Sequence, residues 1–237
     1  AECLSQQLPR TETLTTLVLN ENIVDDEKVR RLVVGLRDNM TITDLDLSHN
    51  KISDRGSRAL CKCLGKDSVI SRLSLCDNHI HSEGGKFLGR ALQSNVSLAQ
   101  LNMRLNRLGE KGGCYIFEGL KSNGGLVTLN ISGNGLGDGS GQGEAVRVFA
   151  AMLRVNSTLQ GVDMSSNSLG AEGGVVLRDS LEENTTLLQL DTRINKIAPE
   201  VILSIKELLL RNEETLKNRK TQPLKPLPKR QTEAEKI

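Results

Sequence analysis

Aromatic residues are scarce: Tyr115, Phe87, Phe117 and Phe149 are the only four in 237 residues, and Trp is absent. Base-stacking nucleic-acid surfaces and aromatic sugar platforms depend on such side chains, which argues against both. Three histidines (His49, His79, His81) leave little material for a His-based metal centre or triad. No apolar run approaches the ~18 residues a membrane span requires. The five cysteines are an odd number with no framework spacing, and no signal peptide opens the chain, so a reducing, cytoplasmic compartment is expected. The chain begins at Ala1 rather than Met and is expected to be part of a longer protein.

Charge is nearly balanced, 31 Lys+Arg against 29 Asp+Glu, so no bulk attraction to nucleic acid or membrane is expected. The balance is uneven along the chain. Residues 211–237 hold eight basic and four acidic residues, a net +4, whereas the preceding 210 residues carry 23 against 25.

What the sequence has in abundance is a repeat. Leu45-Asp-Leu47-Ser-His-Asn50, Leu73-Ser-Leu75-Cys-Asp-Asn78 and Leu101-Asn-Met103-Arg-Leu-Asn106 align, as do segments ending at Asn22, Asn134, Asn167 and Asn195. The step is 28 residues from Asn22 through Asn134, 33 to Asn167, and 28 again to Asn195. Each unit changes period halfway. An apolar-x-x-apolar-x-apolar run such as Ile42 to Leu47 predicts a short strand with one buried face. Apolar residues three and four apart, such as Leu60, Cys63, Leu64 or Leu88, Ala91, Leu92, predict an amphipathic helix. Gly56, Gly84, Gly112 and Gly173 are expected to open the helices. A second column (Asn39, Asp67, Asn95, Asn123, Asn156, Asn184, Asn212) is expected to end them, in the left-handed conformation Asn tolerates.

The first column (Asn22, Asn50, Asn78, Asn106, Asn134, Asn167, Asn195) has a backbone rationale. Buried peptide groups lose their ladder partners where a strand turns away, at about 1–3 kcal/mol each if left unpaired. An Asn amide both donates and accepts, so a stack of them bridges consecutive turns; Asp accepts only.

This pattern resembles the leucine-rich repeat of the ribonuclease-inhibitor type over residues 14–212. The resemblance implies an α/β solenoid, a horseshoe of seven repeats of about 28 residues, with parallel strands on the concave face and helices on the convex face. Residues 1–13 are then an N-terminal flank, and 213–237 a helix extension and basic, Pro-containing arm. The last unit departs from the rest. Ala198-Pro199-Glu200 replaces the Gly entry, Pro suits a first helical turn, and a longer helix towards Lys217 is expected to cap the stack.

Strand residues between core positions are expected on the concave face. Asp44, Asp46, Arg72, Asn102, Arg104, Asp163, Asp191 and Arg193 are its candidate partner-binding residues, with Ser48, Cys76 and Ser132 in the same set. Interface chemistry favours Arg among them, so Arg72, Arg104 and Arg193 are the expected anchors. Other motifs reduce to structure. The stretch Gly133–Gly143 lacks a phosphate-loop spacing and is read as a loop extension. Cys61 and Cys63, two apart on a helix, diverge by about 200°, with Cys63 inward and Cys61 outward, so no zinc site is expected. Four of five Asn-x-Ser/Thr sequons fall on the second Asn column, so glycosylation is not expected. No catalytic constellation, cofactor, metal or small-molecule substrate is implied; the partners expected are other proteins.

The C-terminal arm offers a second candidate surface: Lys220, Pro223, Pro226, Lys229 and Arg230. Lys220-Thr-Gln-Pro223-Leu-Lys-Pro226 has the spacing of an extended polyproline ligand for SH3 domains. Finally, Leu190-Asp191-Thr-Arg193 with Glu200, Ile205, Leu209, Asn212 and Arg219 resembles the end of the leucine-rich repeat subunit of the nexin–dynein regulatory complex (t-complex-associated testis-expressed type). That resemblance implies a structural subunit of a multi-protein assembly in the ciliary or flagellar axoneme, regulating dynein through contacts. A Ran-type GTPase-activating protein, a centrosomal repeat protein and an immune-sensor region share the repeat. The basic arm stands where the Ran-type activator usually carries a long acidic segment.

Overall fold

A computed structural model describes residues 2–137 and 143–221. Two short elements come first, helix α1 (Glu2–Gln7) and a 3-10 turn at Leu8–Arg10. Seven strands of three residues each then alternate with helices: β1 (Thr16–Val18), α2 (Asp26–Arg37), β2 (Asp44–Asp46), α3 (Asp54–Leu60), β3 (Arg72–Ser74), α4 (Ser82–Ser94), β4 (Gln100–Asn102) and α5 (Gly109–Leu120). The series continues with β5 (Thr128–Asn130), α6 (Glu144–Leu153), β6 (Gly161–Asp163), α7 (Gly170–Glu183), β7 (Gln189–Asp191) and α8 (Pro199–Thr221).

All seven strands pair in parallel in chain order, and the sheet does not close. The register holds homologous positions opposite one another, as in Leu45↔Leu73 and Leu73↔Leu101, and it continues through the 33-residue unit as Leu129↔Val162. This is the expected α/β repeat solenoid. Its core is one continuous cluster between sheet and helices, filled by Leu45, Leu73, Leu101 and Leu129 from the strands and Leu60, Leu88, Ile116 and Phe149 from the helices. Phe117 and Phe149 meet edge-on, with ring centroids 4.9 Å apart. The segment before β1 joins that core through Leu8, whose carbonyl accepts from Asn39 Nδ2 at 2.7 Å.

The helices begin earlier than the glycines suggest. Gly56 and Gly84 are the third residues of α3 and α4, and Gly112 and Gly173 the fourth of α5 and α7. The reason is packing between units. Asp26 Oδ1 in α2 accepts from the Ser53 and Gly56 amides at 2.8 and 2.9 Å, and Asp54 Oδ1 from those of His81 and Gly84 at 2.7 and 2.9 Å. Each carboxylate thereby serves the free N–H groups opening the next helix. A Cβ on Gly56 would lie 2.5 Å from the Asp26 oxygen, so only glycine admits this approach.

The second Asn column also differs from expectation. Asn95 and Asn184 are extended (φ −82° and −83°), not left-handed. The left-handed residues flank the first column instead: His49, Asp77, Leu105, Gly133, Ser166 and Ile194 each precede its Asn. Helix α3 stops at Leu60, well short of Asp67, and Asn212 sits inside α8 rather than at its end. There Asn212 Nδ2 donates to the Leu187 carbonyl at 2.9 Å. Arg211 beside it donates to the Leu181, Glu182 and Asn184 carbonyls at 2.8–3.1 Å, capping the free carbonyls at the end of α7.

Candidate functional site: the strand face and its exit edge

Side chains alternate along each three-residue strand, so the middle residue enters the core and its neighbours form the opposite face. The strands exit through the first Asn column, which fixes this face rigidly. Asn106 Nδ2 donates to the carbonyls of Leu75, Met103 and Arg104 at 2.8, 3.0 and 3.4 Å, while its Oδ1 accepts from the Ile80 amide at 3.1 Å. Asn50, Asn78, Asn134, Asn167 and Asn195 repeat the bridge to the preceding unit. Asn22, in the first of the described strand–helix units, is exposed and donates to Asn20 O within its own turn.

The structure brings most candidate residues into pairs within the chain. Arg72 is hydrogen-bonded to Asp44, and that contact, foremost, holds the Asp44 carboxyl below its ordinary range. Arg193 binds Asp191 with Nε and Nη2 at 2.6–3.0 Å, lowering the Asp191 pKa and raising that of Arg193. Asp46 Oδ1 accepts from the Ser48 amide and hydroxyl at 2.9 and 2.6 Å. Asp163 accepts from Asn130 Nδ2 at 3.0 Å and from the Ser165 amide and hydroxyl at 3.0 and 2.7 Å. Asn102 accepts from the Arg104 amide at 3.1 Å. Of the three expected arginine anchors, Arg72 and Arg193 are therefore engaged, and the Arg104 guanidinium has no acceptor among the described residues.

Three residues expected on this face, Ser48, Cys76 and Ser132, are buried, because the chain bends inward as it leaves the strand. Two adjoining hollows remain open. One of about 360 Å³ lies over β4–β7, where Gly161 contributes no side chain. The other, about 370 Å³, lies at the exit edge between Arg104 and Arg193. Sequence reasoning missed Leu105 and Ile194, the exposed apolar residues bordering that second hollow. The signal available was their bulk in a column otherwise held by polar residues and glycine.

The cysteine expectation needs one correction. Cys61 is not outward on a helix; it follows the end of α3 and is half-buried against the core. Burial pushes both Cys61 and Cys63 up to about 12, which keeps them as inert thiols. At the sequons, Asn39, Asn95, Asn156 and Asn184 are buried with their amide nitrogens hydrogen-bonded to backbone carbonyls. Lys220 belongs by its backbone to α8, so the segment expected to be extended is helical there. Pro223, Pro226, Lys229 and Arg230, and the centre of the Gly133–Gly143 stretch, lie outside the described residues. No helix among the described residues is long and apolar enough to cross a membrane.

Seven stacked strand–helix units in one open parallel sheet, with asparagine bridging each strand exit, define the class: the chain is a leucine-rich repeat protein. A family model described as Leucine Rich repeat matches residues 38–61, 126–143 and 155–177. Among solved structures, the leucine-rich repeat-containing protein LegL7 from Legionella pneumophila is similar at 18% identity over 81% of this chain and 60% of that one, with a TM-score of 0.50. Leiomodin-1 actin-binding site 2 aligns at 16% identity over 91% of each chain with a TM-score of 0.42. The tropomodulin C-terminal domain of Caenorhabditis elegans aligns at 18% identity over 92% and 96%, with a TM-score of 0.41. No curated protein matches the sequence.

Proposed function

We propose that the chain is a non-catalytic interaction scaffold, a structural subunit of a large cytoskeletal assembly of the ciliary or flagellar axoneme type. Its repeats act as a spacer of fixed geometry, with the strand face and the C-terminal segment holding protein partners. The observation carrying the reading is the terminal unit. It combines the Asp191–Arg193 pair, a helix entered at Pro199 without the Gly that α3, α4, α5 and α7 carry in their first turn, and a 23-residue α8 extending past the repeat core. These are the features in which the sequence resembles the nexin–dynein regulatory subunit. A stack buried in one continuous core resists bending, which suits a linker that transmits position rather than chemistry.

The test is cross-linking of the tagged protein in ciliated cells, followed by identification of its neighbours. Dynein-regulatory subunits are the expected neighbours. Recovery of a small GTPase in their place would overturn the reading in favour of a GTPase activator, and a centrosomal set would overturn the axonemal placement.

A further inference from the structure

The hollow at the exit edge is built by an alternation of large and small residues. One position of each unit stands just before the first Asn column's left-handed residue: Arg104, Ser132, Ser165 and Arg193 in the fourth to seventh units, with both arginines exposed, Ser165 half-buried and Ser132 buried. The left-handed position itself reads Leu105, Gly133, Ser166 and Ile194. Two units with small residues thus lie between two units with an arginine and an aliphatic side chain. The outer strands are three apart, so the arginine Cα atoms stand about 14 Å from each other across a floor of hydroxyls. Leu105 leans over this floor: a Cβ built on Gly133 would lie 2.9 Å from its Cδ2. Leu105 is 43% exposed and Ile194 81%.

The electrostatics of the notch are asymmetric. Arg193 is bound to Asp191, and Asp163 is occupied by Asn130 and Ser165. Arg104 alone keeps its full donor set for an incoming group. A guanidinium with free donors beside an aliphatic rim fits a carboxylate carried next to an apolar side chain.

We infer that the notch between Arg104–Leu105 and Arg193–Ile194 is a docking site for an acidic–aliphatic segment of a protein partner, its Asp or Glu on Arg104 and its neighbouring aliphatic residue between Leu105 and Ile194. This rests on the reading of the chain as an interaction scaffold and names the kind of partner segment its strand face takes. Binding one such segment per chain leaves the helical face and α8 free for other subunits.

Selection of a random ten-residue peptide library on the 237-residue chain tests this directly. Enriched peptides should carry Asp or Glu adjacent to Leu, Ile or Val. Their affinity should fall about tenfold on Arg104→Gln, the loss of one charge-assisted contact. Ser166→Leu should abolish binding by filling the notch. That position is exposed and left-handed like Leu105 in the same column, so the variant should melt with the parent. Peptides lacking an acidic residue, affinities unchanged in either variant, or no enrichment over the double variant would each overturn the proposal. The cross-linking experiment repeated with the Arg104→Gln, Ser166→Leu double variant separates the two readings: loss of one neighbour with the others kept is expected, and retention of every neighbour would refute the notch and leave the scaffold intact.

Discussion

At the strand exit every unit carries asparagine, and from Asn50 to Asn195 each of those side chains is buried. At the helix exit the pattern is the same except in one unit, where Asp67 replaces Asn and is exposed. The neighbouring Asn95 still donates back to the Leu64 and Gly65 carbonyls and accepts from the Leu98 amide. In the Asp67 unit the helix ends early, and Ser68 Oγ accepts from the Ile70 amide at 3.2 Å in place of the column residue. A cleft of about 210 Å³ lies there, with Arg37, Lys62 and Lys66 at its mouth. Where the carboxylate has no amide hydrogens to give, the column residue leaves the interior and a cleft opens at that edge. What stacks these repeats is a side chain able to donate and accept in the same place.

Forcing an aspartate into an intact part of the second column should break it most severely. Asn95→Asp buries a carboxylate at a position only 1% exposed, and about 3 kcal/mol or more of stability should be lost at neutral pH. Burial raises the folded-state pKa of such a group. The charge penalty is therefore full above that raised value and vanishes as pH falls below the ordinary carboxylate range near ~4. Urea unfolding at pH 7 and pH 4 measures both. Next in size is Asn106→Ala in the first column, expected to lose about 2–3 kcal/mol for its several buried bonds. Asn102→Ala, two strand positions before Arg104 and half-exposed, should change stability by less than about 0.5 kcal/mol. Equal losses at 102 and 106 would remove the distinction between bridging and displayed asparagines.

The converse change should be smaller. Asp67→Asn restores a donor where the column is interrupted and should stabilise by up to about 1 kcal/mol, the net worth of one hydrogen bond. Hydrogen exchange at the amides around Leu36 and Ile70 should slow with it. No gain would mean that the short α3, rather than the missing donor, sets the cleft.

The fold was legible because one repeat states it seven times: the apolar period places the strands, and Asn marks each exit. What escaped the sequence reading was everything that passes between units. Gly56 marks the approach of Asp26 from thirty residues earlier, not the start of a helix. Arg211 reads as one more basic residue near a charged tail, yet it caps α7. The candidate site was legible as a face but not as a pattern of engagement. Arg104 and Arg193 hold the same position of the repeat, and Arg72 opens its strand on the same face; nothing in the repeat pattern tells which is engaged, and only the partners Asp44 and Asp191 do so. Periodicity carries positions well, because it averages over units; it carries pairings poorly, because each pairing depends on one unit and its neighbour.

The smallest expected effect tests that last distinction. Asp44 is held below its ordinary pKa chiefly by Arg72, with the Thr43 hydroxyl adding a second bond at 2.7 Å. A depressed folded-state pKa contributes stability that is present above the ordinary carboxylate range and lost as pH falls through the depressed value. Arg72→Gln should therefore lower stability at neutral pH and converge with the parent at low pH, where Asp44 is protonated in both. Arg72 is largely exposed, so the difference should stay below about 1 kcal/mol and shrink with added salt. Arg104→Gln, with no carboxylate to lose among the described residues, should leave the pH profile unchanged. Thermal melting of the three proteins between pH 3 and pH 7 separates an arginine spent on its own fold from one kept free for a partner.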